Sequence, residues 1–176
     1  MMVTDDLKRF AFQREEAIEL ILYLAWRLKE PTVMQICKLM YFADKQHLNF
    51  WGQFLCGNDY VAMEHGPVPV DIYELLDETR QAGNDDFEVG ERVIRPLRAV
   101  DMKKISEAAQ QTLDWVLREY GEIPIGKLRD ISHEETAWKN AWKPGSSRKR
   151  FDMPILSIAA MLPDSESLIA HLQGND

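Results

Sequence analysis

From Val33 to Trp51 the chain reads VMQICKLMYFADKQHLNFW, a run of helical length that is apolar nearly all the way round. Ile36, Leu39, Met40 and Ala43 recur at helical spacing, with His47 and Phe50 continuing the same inward face. Tyr41, Phe42 and Trp51 cover much of what remains. A helix at a domain surface shows one apolar stripe, whereas a helix apolar on all sides must be enclosed by other elements. This segment is expected at the centre, with the rest of the chain around it. Its ends are marked. Thr32 and Gln35 have capping-box spacing, and Gly52 can terminate the helix.

Enclosure needs enough chain. The 176 residues suit one domain with a sizeable core, and 45% hydrophobic with 28% charged residues is ordinary for a globular protein. FQREEAIELILYLAWRLKEP predicts a helix starting near Phe12, with Ala17, Ile18, Ile21, Leu22, Ala25 and Leu28 as one stripe and Pro31 as its stop. YVAME predicts a strand that Gly66-Pro67 breaks, and Val68 to Leu76 a helix with Pro69 in its first turn and Asp71 behind it. DFEVGERVIRP predicts a hairpin turning at Gly90-Glu91, packed against the strand near Val61. KKISEAAQQTLDWVLREYG is the cleanest amphipathic helix, with Gly121 as its cap. Short helices follow in IGKLRDI and SHEETAWKNAW, then the basic loop KPGSSRKRF, then a last helix over 164–173 capped by Asp164. The expected fold is α+β: a mainly helical single domain over 1–176, core about 12–160, with a small antiparallel sheet.

Little in this pattern points to catalysis. Cys37, Cys56, His47, His65, His133 and His171 are scattered, without the close-spaced pairs of metal ligands, so no metal and no cofactor is expected. Cys37 lies among apolar residues on the central helix. Cys56, in a loop, is the better candidate for a thiol nucleophile, but no family signature surrounds it. Adjacent Glu64 and His65 point to opposite faces if the strand reaches them, and His133 is placed to cap or orient a turn. The helix ending at Tyr120, the Gly121 turn and IGKLRDI have the outline of a helix-turn-helix, offering only Lys127 and Arg129. Lys143, Arg148, Lys149 and Arg150 are better phosphate contacts, yet the chain carries a net −8, which disfavours nucleic acid. The N-terminal MMVTDDLKRFAFQREE shows no apolar leader, and AIELILYLAW is too short to span a bilayer, so a cytoplasmic location is expected.

Three stretches carry a family resemblance by their order and spacing: KLMYFADKQHLNFWGQ from Lys38, AMEHGPVPVDIYELL from Ala62, and LDWVLREYGEIPIGKLRDISHEETAWKNAW from Leu113. Together they resemble the Panacea domain of SocA-like antitoxins, also described as phage-associated proteins, over roughly residues 15–160. One departure is His65, where the family more often has an aromatic residue before Gly-Pro. The resemblance implies a non-enzymatic antitoxin that neutralises a cognate toxin by direct contact. In the family a SocA-type member also delivers its toxin to a ClpXP-type protease, a role not carried over to this chain, because no residue here identifies a protease contact. A DNA-binding regulator of its own operon and a small thiol hydrolase are the alternatives. Gly66, Pro67, Val68, Gly121 and His133 then belong to the scaffold. Trp51, His65, Tyr73, Trp138 and Trp142 are the candidates for the toxin-binding surface, because aromatic anchors dominate binding energy.

Overall fold

The computed structural model describes residues 11–175. The expectation that MMVTDDLKRFAFQREE carries no apolar leader falls for its first ten residues outside the described ones. The helices are α1 (Arg14–Arg27), α2 (Val33–Trp51), α3 (Val70–Ala82), α4 (Glu107–Tyr120), α5 (Ile125–His133), α6 (Thr136–Ala141), α7 (Ile155–Ala159) and α8 (Ser165–Leu172). The strands are β1 (Tyr60–Met63), β2 (Gly66–Pro69), β3 (Phe87–Val89), β4 (Ile94–Pro96) and β5 (Phe151–Asp152). The α+β class and its helical bias hold. No helix among the described residues is long and apolar enough to cross a membrane.

Helix α2 is the axis of the core. It packs against α1, α3, α4, α5, α7 and β2. Thr32 Oγ1 accepts from Gln35 N–H at 3.0 Å, but the other half of the capping box does not form. The Gln35 amide instead donates to the Gly121 carbonyl at 3.3 Å, joining the start of α2 to the end of α4. Gly52 closes α2 in the left-handed region at φ 68°. His47 is buried as expected, whereas Phe50 is 67% exposed, because no element covers that side of the last turn. Helix α1 is buried beyond its predicted stripe, with Leu20, Tyr23 and Leu24 also enclosed. It packs against α4 and the strand β4.

The largest correction falls on the Gly-Pro joint. β1 and β2 form a hairpin in which Met63 faces Gly66 and Tyr60 faces Pro69, so Glu64-His65 is the turn. Gly66-Pro67 begins the second strand rather than breaking the first, and α3 starts only at Val70, with Pro69 just before it. Pro67 is tolerated because β2 is an edge of the three-stranded sheet β2-β1-β5, where a missing N–H costs no ladder bond. β5 pairs with the other side of β1, with Ala62 opposite Phe151.

β3 and β4 form a separate two-stranded sheet and do not pack on the strand near Val61. Their loop is four residues, closed by Gly90 N–H to the Val93 carbonyl at 3.0 Å, rather than a two-residue Gly90-Glu91 turn. Buried Phe87, Val89 and Ile94 direct this hairpin onto α1 and α3 instead. Helix α4 begins at Glu107, later than its apolar pattern suggests, because Ser106 Oγ caps it by accepting from Ala109 N–H. Gly121 ends α4 in ordinary right-handed geometry, and a Cβ there would collide with the Leu117 carbonyl. Asp164 precedes α8 but makes no side-chain cap.

Candidate functional site

One polar seam runs along the otherwise apolar α2, and it positions the face above it. Lys38 is 1% exposed and donates to the Pro67 carbonyl at 2.9 Å. Burial lowers its pKa to about 8. Tyr41 O–H and Lys45 Nζ both donate to Glu135 Oε2 at 2.9 Å, pinning the α5–α6 junction. Asp44 is fully buried and accepts from Leu55 N–H at 2.7 Å, Asn58 Nδ2 at 3.2 Å and Tyr60 O–H at 2.7 Å. Burial raises its carboxyl to about 6, while the three donors pull the other way. Hydrogen bonds to buried charged groups are each worth about 1.5–3 kcal/mol, so this seam ties the hairpin, its entry loop and the α5–α6 junction to α2.

Gly66 sits directly over the seam at φ 108°. A Cβ there would lie 2.7 Å from Lys38 Nζ and would collide with Ser132 Oγ. Glycine is required both by the backbone angle and by this close approach.

An aromatic ladder extends from the same junction. The His133 ring stacks on Trp138 at 4.2 Å between centroids and 5° between planes. Trp138 stacks in turn on Trp142 at 6.2 Å, and Trp142 meets the Phe151 ring edge-on at 5.6 Å. Trp138 Nε1 donates to the Met63 carbonyl at 2.9 Å, fastening the ladder to the base of the hairpin turn. Burial lowers the pKa of His133, with nearby Lys38 and Arg129 acting in the same sense, and its Nε2 is buried without a partner among the described residues. Beyond Phe151, Arg148 lies over its ring at 5.3 Å and Arg150 over the Tyr73 ring at 5.9 Å.

Of the five candidate surface residues, Trp138 and Trp142 stack on one another, Trp138 is bonded to the Met63 carbonyl two residues before His65, and Tyr73 lies under Arg150. His65 is exposed at the hairpin tip, and Tyr73, Trp138 and Trp142 are half-buried against the core. Trp51 is separate. It is 54% exposed at the end of α2, against His47, about 15 Å along the helix from Tyr41 at 1.5 Å per residue. His133, expected to cap or orient a turn, stacks on Trp138 and bonds the Glu64 backbone. Missed were Lys38, Tyr41, Asp44, Lys45 and Glu135. For Lys38, Tyr41, Asp44 and Lys45 the signal was polar residues recurring at helical spacing on a mostly enclosed helix; Glu135, just before α6, had no such local signal. Phe151 was missed because a two-residue strand has no periodicity to read.

The alternative sites look different in place. Cys56 is 1% exposed, and burial, reinforced by nearby carboxylates, raises its thiol well above its ordinary range. A thiol held neutral is a poor nucleophile, and its hydrogen-bond neighbour is the Asn58 amide, not a histidine. Among the described residues, no group of three or more His, Cys, Asp or Glu is gathered to hold a metal ion. In the turn-and-helix after α4, Arg129 is engaged by Asp130 at 3.1 Å.

No curated protein and no solved structure matches the chain. A family model does, described as the antitoxin SocA-like Panacea domain, over residues 36–139. That span is narrower than the roughly 15–160 of the resemblance but covers more than half of the chain. It includes the α2 seam, the Gly66-Pro67 hairpin, Glu135 and Trp138, the parts that hold the face together. The chain belongs to the SocA-like antitoxin, Panacea domain family.

Proposed function

We propose that this protein is the antitoxin of a toxin–antitoxin pair and neutralises its cognate toxin by direct contact. The contact surface is the face formed by the His65 tip, the Trp138–Trp142 ladder and Tyr73. One observation carries the location. The Trp138 ring is stacked with both His133 and Trp142, and its N–H is held by the Met63 carbonyl. An aromatic anchor immobilised before binding loses little entropy on docking, which favours a strong contact. Family membership supports the kind of partner. Delivery of the bound toxin to a ClpXP-type protease is the further step of this proposal.

The test is co-expression with the product of the adjacent reading frame. Growth should be arrested by that product alone and restored by this protein, and the two should co-purify. Growth arrest that persists despite soluble, folded protein rejects the antitoxin reading. The adaptor step is checked separately, by the half-life of the tagged toxin with and without the protease. An unchanged half-life leaves neutralisation by binding alone.

A further inference from the structure

Within the eight residues from Lys143 to Arg150 lie four cations, Lys143, Arg148, Lys149 and Arg150. None of them makes an ion pair among the described residues. Elsewhere the molecule pairs its cations readily: Lys45 with Glu135, Arg95 with Glu88, Arg98 with Glu19 and Asp86, and Lys139 with Glu134. Acids are not in short supply, since the chain has 29 against 21 Lys and Arg. Three of the four cations of this segment lie over rings instead. Lys143 and Arg148 lie over Phe151 at 6.0 and 5.3 Å, and Arg150 lies over Tyr73 at 5.9 Å.

That arrangement leaves the chemistry of the guanidinium groups open. A cation over a ring face is oriented but not neutralised, and the in-plane N–H groups of arginine remain free to bind a carboxylate in bidentate fashion. The strip joins the aromatic ladder at Phe151, so it continues the proposed contact face. It also lies outside residues 36–139, the span shared with the family model.

We propose that the Lys143–Arg150 strip, laid over Phe151 and Tyr73, is a docking site for an acidic segment of the partner protein. This rests on the antitoxin reading and adds the partner's chemistry: the toxin presents clustered Asp or Glu beside the surface that meets the ladder. A protein segment fits better than a duplex. DNA carries phosphate charge about every 1.7 Å and continues past a short strip. Here exposed Asp152 follows the strip two residues after Arg150, and exposed Glu74 follows Tyr73 in the chain, on a molecule of net charge −8. A short acidic peptide satisfies the strip without running into those acids.

The experiment uses the full chain with two fluorescent probes, a hexaglutamate peptide and a random-sequence duplex of about 20 base pairs, longer than the strip can cover. The peptide should bind, and should weaken as salt rises from about 50 to 300 mM, as expected for screened charges. Triple reversal, Arg148→Glu with Lys149→Glu and Arg150→Glu, should weaken peptide binding by about tenfold or more, as expected when several charge-assisted contacts are lost. The triple Gln variant should fall between, and both should keep the wild-type unfolding midpoint. The duplex should bind more weakly than the peptide. Three results overturn the inference: no peptide binding by wild type, equal binding by the reversed variant, or tighter duplex binding through the same residues. Co-expression separates it from the antitoxin reading. Wild-type protein that fails to protect cells sinks that reading, whereas equal protection by wild type and the reversed variant sinks the strip alone.

Discussion

Gly66 occupies φ 108° with Lys38 Nζ and Ser132 Oγ crowding the place of a Cβ. Gly66→Val should therefore destabilise the fold by about 1–3 kcal/mol from backbone strain, before the clash is counted. Thermal unfolding measures this, and an unchanged midpoint would remove Gly66 from the scaffold. Two other buried residues make a prediction about pH. Asp44 has a folded pKa of about 6 against 3.8 ordinarily, so its contribution is present below 3.8 and is lost as pH rises through 6. His47 has a folded pKa of about 4 against 6.5, so its contribution is present above 6.5 and is lost as pH falls through 4. His47 Nδ1 lies 2.9 Å from Thr112 Oγ1, whose own proton goes to the Ala108 carbonyl, so His47 donates as the neutral ring. The two slopes oppose each other. Relative to wild type, Asp44→Asn should gain stability as pH rises from about 4 to 6, and His47→Gln should gain as pH falls over the same range. Denaturant melts across that range would show parallel curves if neither group is as buried as it is here.

At the scale of elements, the short strand β5 carries more than its length suggests. It completes the three-stranded sheet, with Met153 N–H bonding the Tyr60 carbonyl at 3.0 Å, and Phe151 ends the aromatic ladder. Phe151→Ala should cost roughly 3 kcal/mol, the lower range for a buried phenylalanine, because Trp142 and Arg148 can partly collapse into the gap. Hydrogen exchange should speed up at Met153 before the β1–β2 pairs respond. Uniform acceleration would mean that β5 is not a separable unit. This strand was illegible in the sequence because its neighbours Lys143–Arg150 read only as a basic loop. The β1–β2 hairpin was misread for another reason. Gly-Pro interrupts most strands, and the exception requires an edge position, which pairing partners decide and local sequence does not.

At the scale of the molecule, the two exposed aromatic regions lie at different ends of α2, and the proposed face uses one of them. Trp142→Ala should weaken toxin binding by about 2 kcal/mol, near thirtyfold, with folding intact, while Trp51→Ala should leave binding nearly unchanged. Isothermal titration with the purified pair measures both, and a reversed order would move the interface to the Trp51 end. The central place of α2 followed from the sequence, because a helix apolar on nearly all sides has no stable place except an interior. The caps at Thr32 and Gly52 followed as well, since capping depends on neighbours a few residues away. So did the α+β class and the family resemblance, which rest on the order and spacing of local motifs. The tertiary structure alone decided which aromatics share a face. Trp51, Trp138 and Trp142 are equally apolar in sequence, and only tertiary packing stacks two of them together and bonds Trp138 to the Met63 carbonyl, while Trp51 lies against His47. It also decided that Lys38 and Asp44 are buried, because the cost of burying a charge is set by partners such as Pro67 and Tyr60 that lie far along the chain.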